Sequence, residues 1–237
     1  MSLPVVILAG GLGTRLGEIA KSIPKALVEV NGEPFLAHQL RLLRSNGVGH
    51  VVMCVGHLGE MIRDYAGDGR AFGLHLEYSF DGPVLLGTAG AIRRALPFLG
   101  GAFFVLYGDS YLPCDFGAVE RAFEEAGKAA LMTVYRNEGQ WDSSNVEFAD
   151  GQLIAYDKIA KSPRMHHIDY GLGVFRRSVF QEPRDPGPLD LAWLYQNLLV
   201  RGELAAFEIS QRFYEIGSVS GLQELSEYLA SRNTKPL

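Results

Sequence analysis

The chain contains 237 residues, of which 22 are Lys or Arg and 27 are Asp or Glu, giving a formal net charge of −5 at pH 7. This balance excludes a general nucleic-acid-coating protein, because polyanion binders usually carry a basic excess. Apolar residues make up 47% and charged residues 21% of the sequence, which is typical of a folded globular protein. We expect a single domain over residues 1–237, since this length can support one large core.

The cysteine content and the N-terminal sequence indicate in which cellular compartment the protein is expected. Two cysteines, Cys54 and Cys114, are too few for a disulfide framework or a thiolate metal site. The N-terminus lacks the pattern of a signal peptide, and no run reaches the roughly 18 apolar residues that a membrane span requires. We therefore expect a cytoplasmic protein in a reducing environment, with neither a membrane nor a nucleic acid as partner.

The first half of the chain alternates between apolar runs and amphipathic segments. The apolar runs are typical of strands buried on both faces. The predicted strands are residues 4–9, 48–55, 74–80 and 102–107, and the predicted helices are 34–46, 57–65 and 88–96. Strands that alternate with helices predict an α/β fold with a parallel sheet covered on both faces. Ligands of such sheets bind beyond the carboxyl ends of the strands.

The second half of the chain has a different pattern. Short strands are predicted at residues 129–135, 146–148, 152–156 and 172–175, with little helix between them. This part of the sheet is therefore expected to be more antiparallel. Helices return at 189–200 and 218–230, separated by predicted strands at 205–209 and 212–216. Residues 182–188 hold three prolines and a glycine, which predicts a loop.

A glycine-rich turn, LAGGLGTRL at residues 8–16, follows the first predicted strand. Glycines at such a turn let a phosphate or a base approach the backbone. The spacing G-x-G-x-x-x-G differs from the dinucleotide fingerprint, and no lysine completes a Walker loop. Lys25 follows Pro24 ten residues after Arg15, so Arg15 and Lys25 together suit a polyphosphate. Taken separately, a glycine turn is more often a simple turn and a surface lysine is more often only solvated.

These residues carry a resemblance to a known family. The string LAGGLGTRLG…PKALVEVNGEPFL resembles the N-terminal signature of the sugar-1-phosphate nucleotidylyltransferases. The similarity continues in order through VVMCVGHLGEMI, LGTAGAI, LYGDS, YDK, YGLGVF and EIGS. The chain is most similar to short single-domain members, such as the heptose-1-phosphate guanylyltransferases and the N-acetylmuramate-1-phosphate uridylyltransferases.

The resemblance implies a fold and a reaction. The fold is a Rossmann-like, GT-A-like three-layer sandwich with a mixed, mostly parallel central sheet. Residues 1–128 would form the nucleotide-binding half and residues 129–237 the sugar-phosphate-binding half. In the family reaction, the sugar 1-phosphate attacks the α-phosphorus of an NTP in line and releases pyrophosphate, without a protein nucleophile. The expected partners are an NTP and a sugar 1-phosphate, and a homo-oligomer is left open.

The resemblance also assigns catalytic and metal-binding residues. Arg15 would hold the β- and γ-phosphates, and Lys25 would lie between the α-phosphate and the attacking oxygen. Asp109 follows the apolar strand AFFVLY and would bind Mg²⁺, the expected cofactor. Glu215 stands where the family usually has the second metal-binding aspartate. Its charge is retained on a longer side chain, and metal ligation by Glu215 is left open.

The two substrates are expected on different segments. The predicted nucleotide-binding residues are Leu8, Ala9, Gly10, Gly11, Gly13, Thr14, Ser79, Gly87 and Thr88. Ser79 lies near the position where pyrimidine-using relatives carry a base-reading glutamine, and its small hydroxyl argues against uridine or thymidine. The Gly-Thr-Ala-Gly string is similar to that of guanylyltransferases, so GTP is the first expectation and CTP and UTP stay open. The predicted sugar-phosphate-binding residues are Asn145, Asp157, Lys158, Asp169, Tyr170 and Gly171, with Lys158 on the phosphate. Asp169 replaces the usual asparagine, which leaves the sugar unidentified.

Other functions remain as alternatives. An NTP-binding regulatory homologue without turnover is compatible with Glu215 in place of an aspartate. An NAD-type oxidoreductase is disfavoured by the glycine spacing. A serine hydrolase would need G-x-S-x-G, which the sequence lacks. A zinc enzyme would need H-E-x-x-H or a comparable cluster, and none is recognised in the sequence. His166 and His167 are adjacent, so on a strand they point to opposite faces and receive no role.

Overall fold

The computed structural model describes residues 2–11, 22–84, 86–181 and 189–233. Its helices are α1 (Phe35–Ser45), α2 (Gly59–Ala66), α3 (Thr88–Ala95), α4 (Phe116–Ala126), α5 (Leu191–Val200) and α6 (Val219–Asn233). Its strands are β1 (Val5–Ala9), β2 (Glu29–Val30), β3 (Glu33–Pro34), β4 (His50–Val55), β5 (His75–Phe80), β6 (Ala102–Tyr107), β7 (Ser110–Tyr111), β8 (Ala130–Arg136), β9 (Val146–Ala149), β10 (Gln152–Tyr156), β11 (His167–Arg176), β12 (Leu204–Ile209) and β13 (Tyr214–Glu215).

A nine-stranded sheet connects both halves of the described chain. Strand β1 lies between β4 and β6 and is parallel to both, and β5 is parallel to β4. Strand β11 runs antiparallel between β6 and β8, and β12 joins β8 in parallel. The β9–β10 hairpin joins the first residue of β11. Strands β10 and β11 thus run against the others, and the expected mixed, mostly parallel sheet is confirmed.

Apolar side chains cover both faces of this sheet. On one face, Val5 and Ile7 of β1 pack in a core that includes residues of α1, α2 and α4. On the other face, Val6 packs in a second core with residues of α3 and α5. The continuous apolar runs of β1, β4 and β6 are explained by this double coverage, because successive side chains point to opposite faces. The three-layer arrangement expected from the sequence is present.

Helix α4 was not anticipated from the sequence, although its ends carry ordinary signals. The Asp115 carboxylate accepts a hydrogen bond from the Ala118 amide at 3.0 Å, which caps the N-terminus. Gly127 ends the helix with a φ of +62°, a conformation that favours glycine. Between these two caps, Phe116, Val119 and Phe123 are buried at helical spacing.

Other boundaries also differ from the predictions. Strand β11 is longer than the predicted residues 172–175, because its first half pairs with the end of β8. The predicted strand 212–216 shortens to β13, which pairs with β7 outside the main sheet. The predicted loop at residues 182–188 lies outside the described residues. Within the described part of the chain, no helix is long and apolar enough to cross a membrane.

Candidate active site

Two adjoining cavities lie at the carboxyl ends of the central strands, and Tyr107 and Asp109 line both. The first cavity, of about 250 Å³, is lined by Leu8, Ala9, Gly10, Gly11, Lys25, Ala26, Cys54, Asp81, Gly87, Thr88, Ala91, Tyr107, Gly108 and Asp109. The second cavity, of about 320 Å³, is lined by Tyr107, Asp109, Asp142, Ser143, Asn145, Lys158, Lys161, Ile168, Asp169, Gly171 and Glu215. Most predicted nucleotide-binding residues of the described chain therefore meet in the first cavity, and most predicted sugar-binding residues in the second.

Two glycines allow the walls of the first cavity to approach each other. Gly87 has a φ of +75°, and a Cβ there would lie 2.7 Å from the Leu189 carbonyl oxygen. A Cβ on Gly108 would lie 2.9 Å from the Cβ of Ala9, so β1 and β6 can converge only without a side chain there. Both positions therefore require glycine for steric reasons.

The N-terminus of α3 forms a wall of the first cavity. The Thr88 hydroxyl accepts a hydrogen bond from the Leu191 amide at 2.7 Å. The Leu189 carbonyl accepts hydrogen bonds from the amides of Ala89 at 2.8 Å and Gly90 at 3.3 Å. These contacts occupy amides that would otherwise attract an anion. The helix end is therefore tied to the segment before α5 and serves as a packing surface.

Lys25 and Asp109 form an ion pair between the cavities. The Lys25 Nζ donates to Oδ2 of Asp109 at 2.8 Å, although the residues are 84 positions apart. Their side chains are 16% and 24% exposed, respectively. Lys25 opens a short 3-10 turn directly after Pro24, which has an extended backbone. This local geometry brings a cation to the carboxylate of Asp109, two residues after β6.

The turn that carries Asp109 is held by hydrogen bonds from distant segments. The buried Gln39 amide of α1 donates to the carbonyls of Tyr107 at 3.0 Å and Ser110 at 2.8 Å. The Ile216 amide donates to the carbonyl of Asp109 at 3.0 Å. Sequence reasoning missed Gln39, because one glutamine inside an amphipathic helix carries no motif. Its contacts fix the backbone on both sides of Asp109.

Glu215 reaches the same cavity as Asp109 through the pairing of β13 with β7. Glu215 is the register partner of Ser110, the residue after Asp109, and both carboxylates line the second cavity. Carboxylate oxygens are the ligands that Mg²⁺ prefers. This pair of carboxylates fits the metal expected from the sequence.

The second cavity contains a hydrogen-bonded acidic wall around Asp169. The Asn145 side-chain oxygen accepts from the Asp169 amide at 2.9 Å, and Tyr156 donates to the Asp169 carboxylate at 3.3 Å. The Gly171 amide donates to the same carboxylate at 3.0 Å. Burial raises the pKa of Asp169, and the nearby charge of Lys158 partly opposes that effect. Asp169 thus lines the second cavity with its carboxylate held in place by hydrogen bonds from neighbouring residues.

Two lysines provide the positive charge of the second cavity. The Nζ of Lys158 lies 5.5 Å from the centroid of the Tyr107 ring, within the range of a cation–π contact. Lys161 also lines this cavity but was not identified from the sequence, because an exposed lysine in a loop gives no signal. An anionic group bound in this cavity would lie near the positive charges of both Lys158 and Lys161.

Several predicted residues lie elsewhere. Ser79 is buried in β5 and lines neither cavity. Asp81, two residues further along the chain, lines the first cavity. The Tyr170 ring packs in the core, with its centroid 6.0 Å from that of Phe213. Asp157 accepts from the amides of Ile159 and Ala160; it shapes the turn that carries Lys158 instead of lining the cavity. These hydrogen bonds lower the pKa of Asp157. The predicted Gly13, Thr14 and Arg15 lie outside the described residues.

Asp81 is the charged residue of the first cavity that the sequence did not reveal. Its amide donates to the Val55 carbonyl at 2.9 Å, and Arg94 donates to its carbonyl at 2.9 Å. A Cβ on Gly10 would lie 3.3 Å from its Oδ2, which places the carboxylate directly beside the glycine turn. Burial raises the pKa of Asp81, while a hydrogen bond from the Leu86 backbone and the charge of Arg94 favour the ionised form.

The Cys54 thiol in the first cavity is not suited to be a nucleophile. Burial raises the pKa of Cys54 to about 12, with a further contribution from the charge of Asp81. The thiol therefore stays protonated at neutral pH, and the thiolate is the reactive form. The cavity instead combines backbone surfaces with Lys25, Asp81 and Asp109, an arrangement that binds and orients a polar ligand.

Comparison with known families decides the class of this protein. The MobA-like NTP transferase domain matches residues 5–224. The chain belongs to this family. A relative named D-glycero-alpha-D-manno-heptose 1-phosphate guanylyltransferase, from Campylobacter jejuni, is 28% identical over 180 residues, covering 76% of this chain and 79% of that protein. The N-acetylmuramate alpha-1-phosphate uridylyltransferase of Neisseria meningitidis is 38% identical over 125 residues, covering 52% and 53%, respectively.

A solved structure has the same fold. The inositol-1-phosphate CTP transferase from T. maritima superimposes with a TM-score of 0.80 at 20% identity, covering 100% of this chain and 98% of that one. The resemblance noted in the sequence is thus confirmed, and the chain is a member of an enzyme family whose named relatives are sugar-1-phosphate nucleotidylyltransferases. The named relatives use different nucleotides, so family membership alone does not identify the base.

Proposed function

We propose that this protein transfers a nucleotidyl group from an NTP to a sugar 1-phosphate and releases pyrophosphate. The NTP occupies the first cavity and the sugar 1-phosphate the second. One observation carries this assignment: the two cavities meet at Tyr107 and Asp109, with Lys25 on one side and Lys158 on the other. A reaction between two anionic substrates requires such a junction, where both are held end to end and their charges are compensated.

In the proposed reaction, the attacking oxygen and the leaving pyrophosphate lie on opposite sides of the α-phosphorus. An oxygen of the sugar phosphate attacks the α-phosphorus, while the bond from that phosphorus to the bridging oxygen of the β-phosphate breaks. The attacking oxygen is already ionised, so no general base is needed. Holding the two reactants in line is worth roughly 7–11 kcal/mol of the barrier. The backbone walls at Gly10 and Gly87 would position the nucleoside, and Lys158 the sugar phosphate.

The residues at the junction compensate the developing charge. Lys25 would move its hydrogen bond from Asp109 to a non-bridging oxygen of the α-phosphate, because that oxygen gains negative charge in the transition state. Asp109 and Glu215 would hold Mg²⁺, which when bound neutralises charge on the phosphates. Arg15, outside the described residues, would hold the leaving pyrophosphate as the family resemblance implies. The ion pair with Asp109 keeps the Lys25 side chain directed toward the junction before substrate arrives.

GTP is the nucleotide that the chemistry of the first cavity favours. An ionised carboxylate accepts two hydrogen bonds from neighbouring donors, and guanine offers such a pair in its N1–H and N2–H₂ groups. Uracil and thymine offer one donor between two carbonyls, and cytosine offers an amino group beside an acceptor nitrogen. Asp81 is the carboxylate that lines this cavity beside the glycine turn. The Campylobacter relative is likewise named a guanylyltransferase.

A pyrophosphate-release assay with four NTPs and a panel of sugar 1-phosphates tests the proposal. We expect release with GTP and at least one sugar phosphate. Asp81→Asn replaces one acceptor oxygen by an amide NH₂, which cannot accept a hydrogen bond from guanine. Because a bidentate base contact is worth roughly 1–3 kcal/mol, kcat/KM for GTP should fall by about 10- to 100-fold. The Ser79→Ala variant, which alters a buried residue two positions earlier in the chain that lines neither cavity, serves as the matched control. An unchanged GTP preference in a folded Asp81→Asn variant would remove Asp81 from base recognition.

The same assay separates the enzyme from a regulatory protein. Tight NTP binding without pyrophosphate release for any pair of substrates would favour an NTP-binding homologue without turnover. The place of Glu215 beside Asp109 in the second cavity supports the enzyme over that alternative. The oxidoreductase alternative has no support from the family match.

A further inference from the structure

Three side chains able to ligate a metal converge at the amino ends of β4 and β5, at the opposite end of these strands from the two cavities. His50 and His75 are register partners on these parallel strands. Glu77 lies two residues along β5 and therefore on the same face as His75. The Nε2 of His50 lies 2.7 Å from Oε2 of Glu77, and the Nε2 of His75 lies 3.9 Å from that same oxygen.

The geometry of the cluster is close to that of a ligand shell. All three ligand atoms lie within 4.8 Å of one another, and the two imidazole rings stack with centroids 5.3 Å apart. Ligands of a tetrahedral zinc ion lie about 2.0–2.2 Å from the metal, and hence about 3.4 Å from one another. The side chains of His50, His75 and Glu77 are 30%, 66% and 32% exposed. All three side chains are partly exposed, so water can reach an open coordination position.

We propose that His50, His75 and Glu77 bind a zinc-class divalent cation that joins β4 to β5. Two imidazole nitrogens and one carboxylate oxygen form a donor set typical of Zn²⁺, whereas Mg²⁺ prefers oxygen ligands. Strand β5 ends the described sheet on this side, so a cross-strand metal would clamp its edge. The site is distinct from the carboxylates Asp109 and Glu215 at the other end of the sheet.

A second histidine distinguishes this cluster from an ordinary ion pair. His166, for example, contacts Glu138 at 3.1 Å, but among the described residues only His50, His75 and Glu77 bring three such ligand atoms together. Both cysteines are buried and would not compete for a metal added to the folded protein. The cluster is therefore the part of the described surface best suited to a nitrogen-preferring cation.

Calorimetric titration of the chelator-treated full chain with Zn²⁺ tests the proposal. Millimolar Mg²⁺ is present throughout to occupy the oxygen-ligand site. We expect one equivalent of Zn²⁺ to bind, an increase in Tm, and, with Co²⁺, the intense visible absorption of a tetrahedral site. His75→Ala and His50→Ala should each weaken binding by at least about tenfold. His166→Ala is the matched control, because it removes a histidine paired with a single glutamate, and it should leave binding unchanged.

Four outcomes would overturn the proposal. These are the absence of saturable Zn²⁺ binding, an affinity that is unchanged in His75→Ala, an equal loss of affinity in His166→Ala, and a loss of binding in Asp109→Asn. His75 is mostly exposed, so its variant provides a folded test even where His50→Ala is unstable. The Asp109→Asn variant should keep its Zn²⁺ affinity. Loss of binding in that variant would place the ion at the catalytic carboxylates and contradict the assignment.

Discussion

Replacing Lys25 by alanine tests the junction between the two cavities. The Lys25 Nζ is 2.8 Å from the Asp109 carboxylate, and these side chains are only 16% and 24% exposed. At an effective dielectric constant of 20, a charge about 4 Å from a phosphate oxygen contributes roughly 4 kcal/mol. Each 1.36 kcal/mol corresponds to about a tenfold change in rate. Because water partly screens the site, we expect kcat to fall by about 10²- to 10³-fold.

The assay separates catalysis from binding. Steady-state pyrophosphate release gives kcat, and calorimetry with a non-hydrolysable NTP analogue gives the binding affinity, which should fall by less than about tenfold. The matched control is Lys128→Ala, which removes an exposed lysine that bonds the Gly202 carbonyl outside both cavities. Equal losses of kcat and of NTP affinity in a folded Lys25→Ala protein would refute the transition-state role and leave Lys25 as a simple anchor.

The remaining predictions concern the second cavity, the metal, the first cavity and pH. Lys158→Ala should raise KM for the sugar phosphate with little change in KM for the NTP, and an unchanged sugar-phosphate KM would remove Lys158 from the site. Asp109→Asn should lower activity and increase the Mg²⁺ concentration needed for half-maximal rate; full activity at low Mg²⁺ would contradict metal ligation. Gly87→Ala should lower Tm, because its Cβ would meet the Leu189 backbone at 2.7 Å, whereas Gly100→Ala meets no atom within 4 Å and is the control. Burial raises the pKa of Asp81 above its ordinary 3.8, so its contribution to stability is largest at low pH and declines as pH rises through the raised pKa. Asp81→Asn should remove that decline when thermal unfolding is measured as a function of pH, and a pH profile identical to that of the unmodified protein would contradict this reasoning.

Some features of the site follow from short stretches of sequence. The turn after β1 could be recognised because its glycines are adjacent in the chain and follow an apolar strand. Lys25 was identifiable for the same reason, since Pro24 precedes it and the motif is local. Asp109 could be placed because it follows β6, and parallel strands present their carboxyl ends at one edge of a sheet.

Other features depend on contacts between distant segments. Gln39 belongs to the site because α1 packs against the turn after β6, which no spacing within α1 reveals. Ser79 lies in β5 and Asp81 directly follows that strand, and only the position of the neighbouring glycine turn shows which of them meets the cavity. Tyr170 was wrongly assigned to the site because it stands next to Gly171 in the same motif. Gly171 lines the second cavity, whereas the Tyr170 ring packs in the core.

The sequence by itself determined the α/β class, the glycine turn, the family and the carboxylates at the strand ends, because these depend on residue type and on neighbours along the chain. The tertiary structure decided that Lys25 contacts Asp109, that Glu215 joins Asp109 through β13 and β7, and that His50 meets His75 across β4 and β5. These contacts join residues far apart in the chain. They depend on strand order and register, which are set by packing of the whole sheet and not by any local pattern.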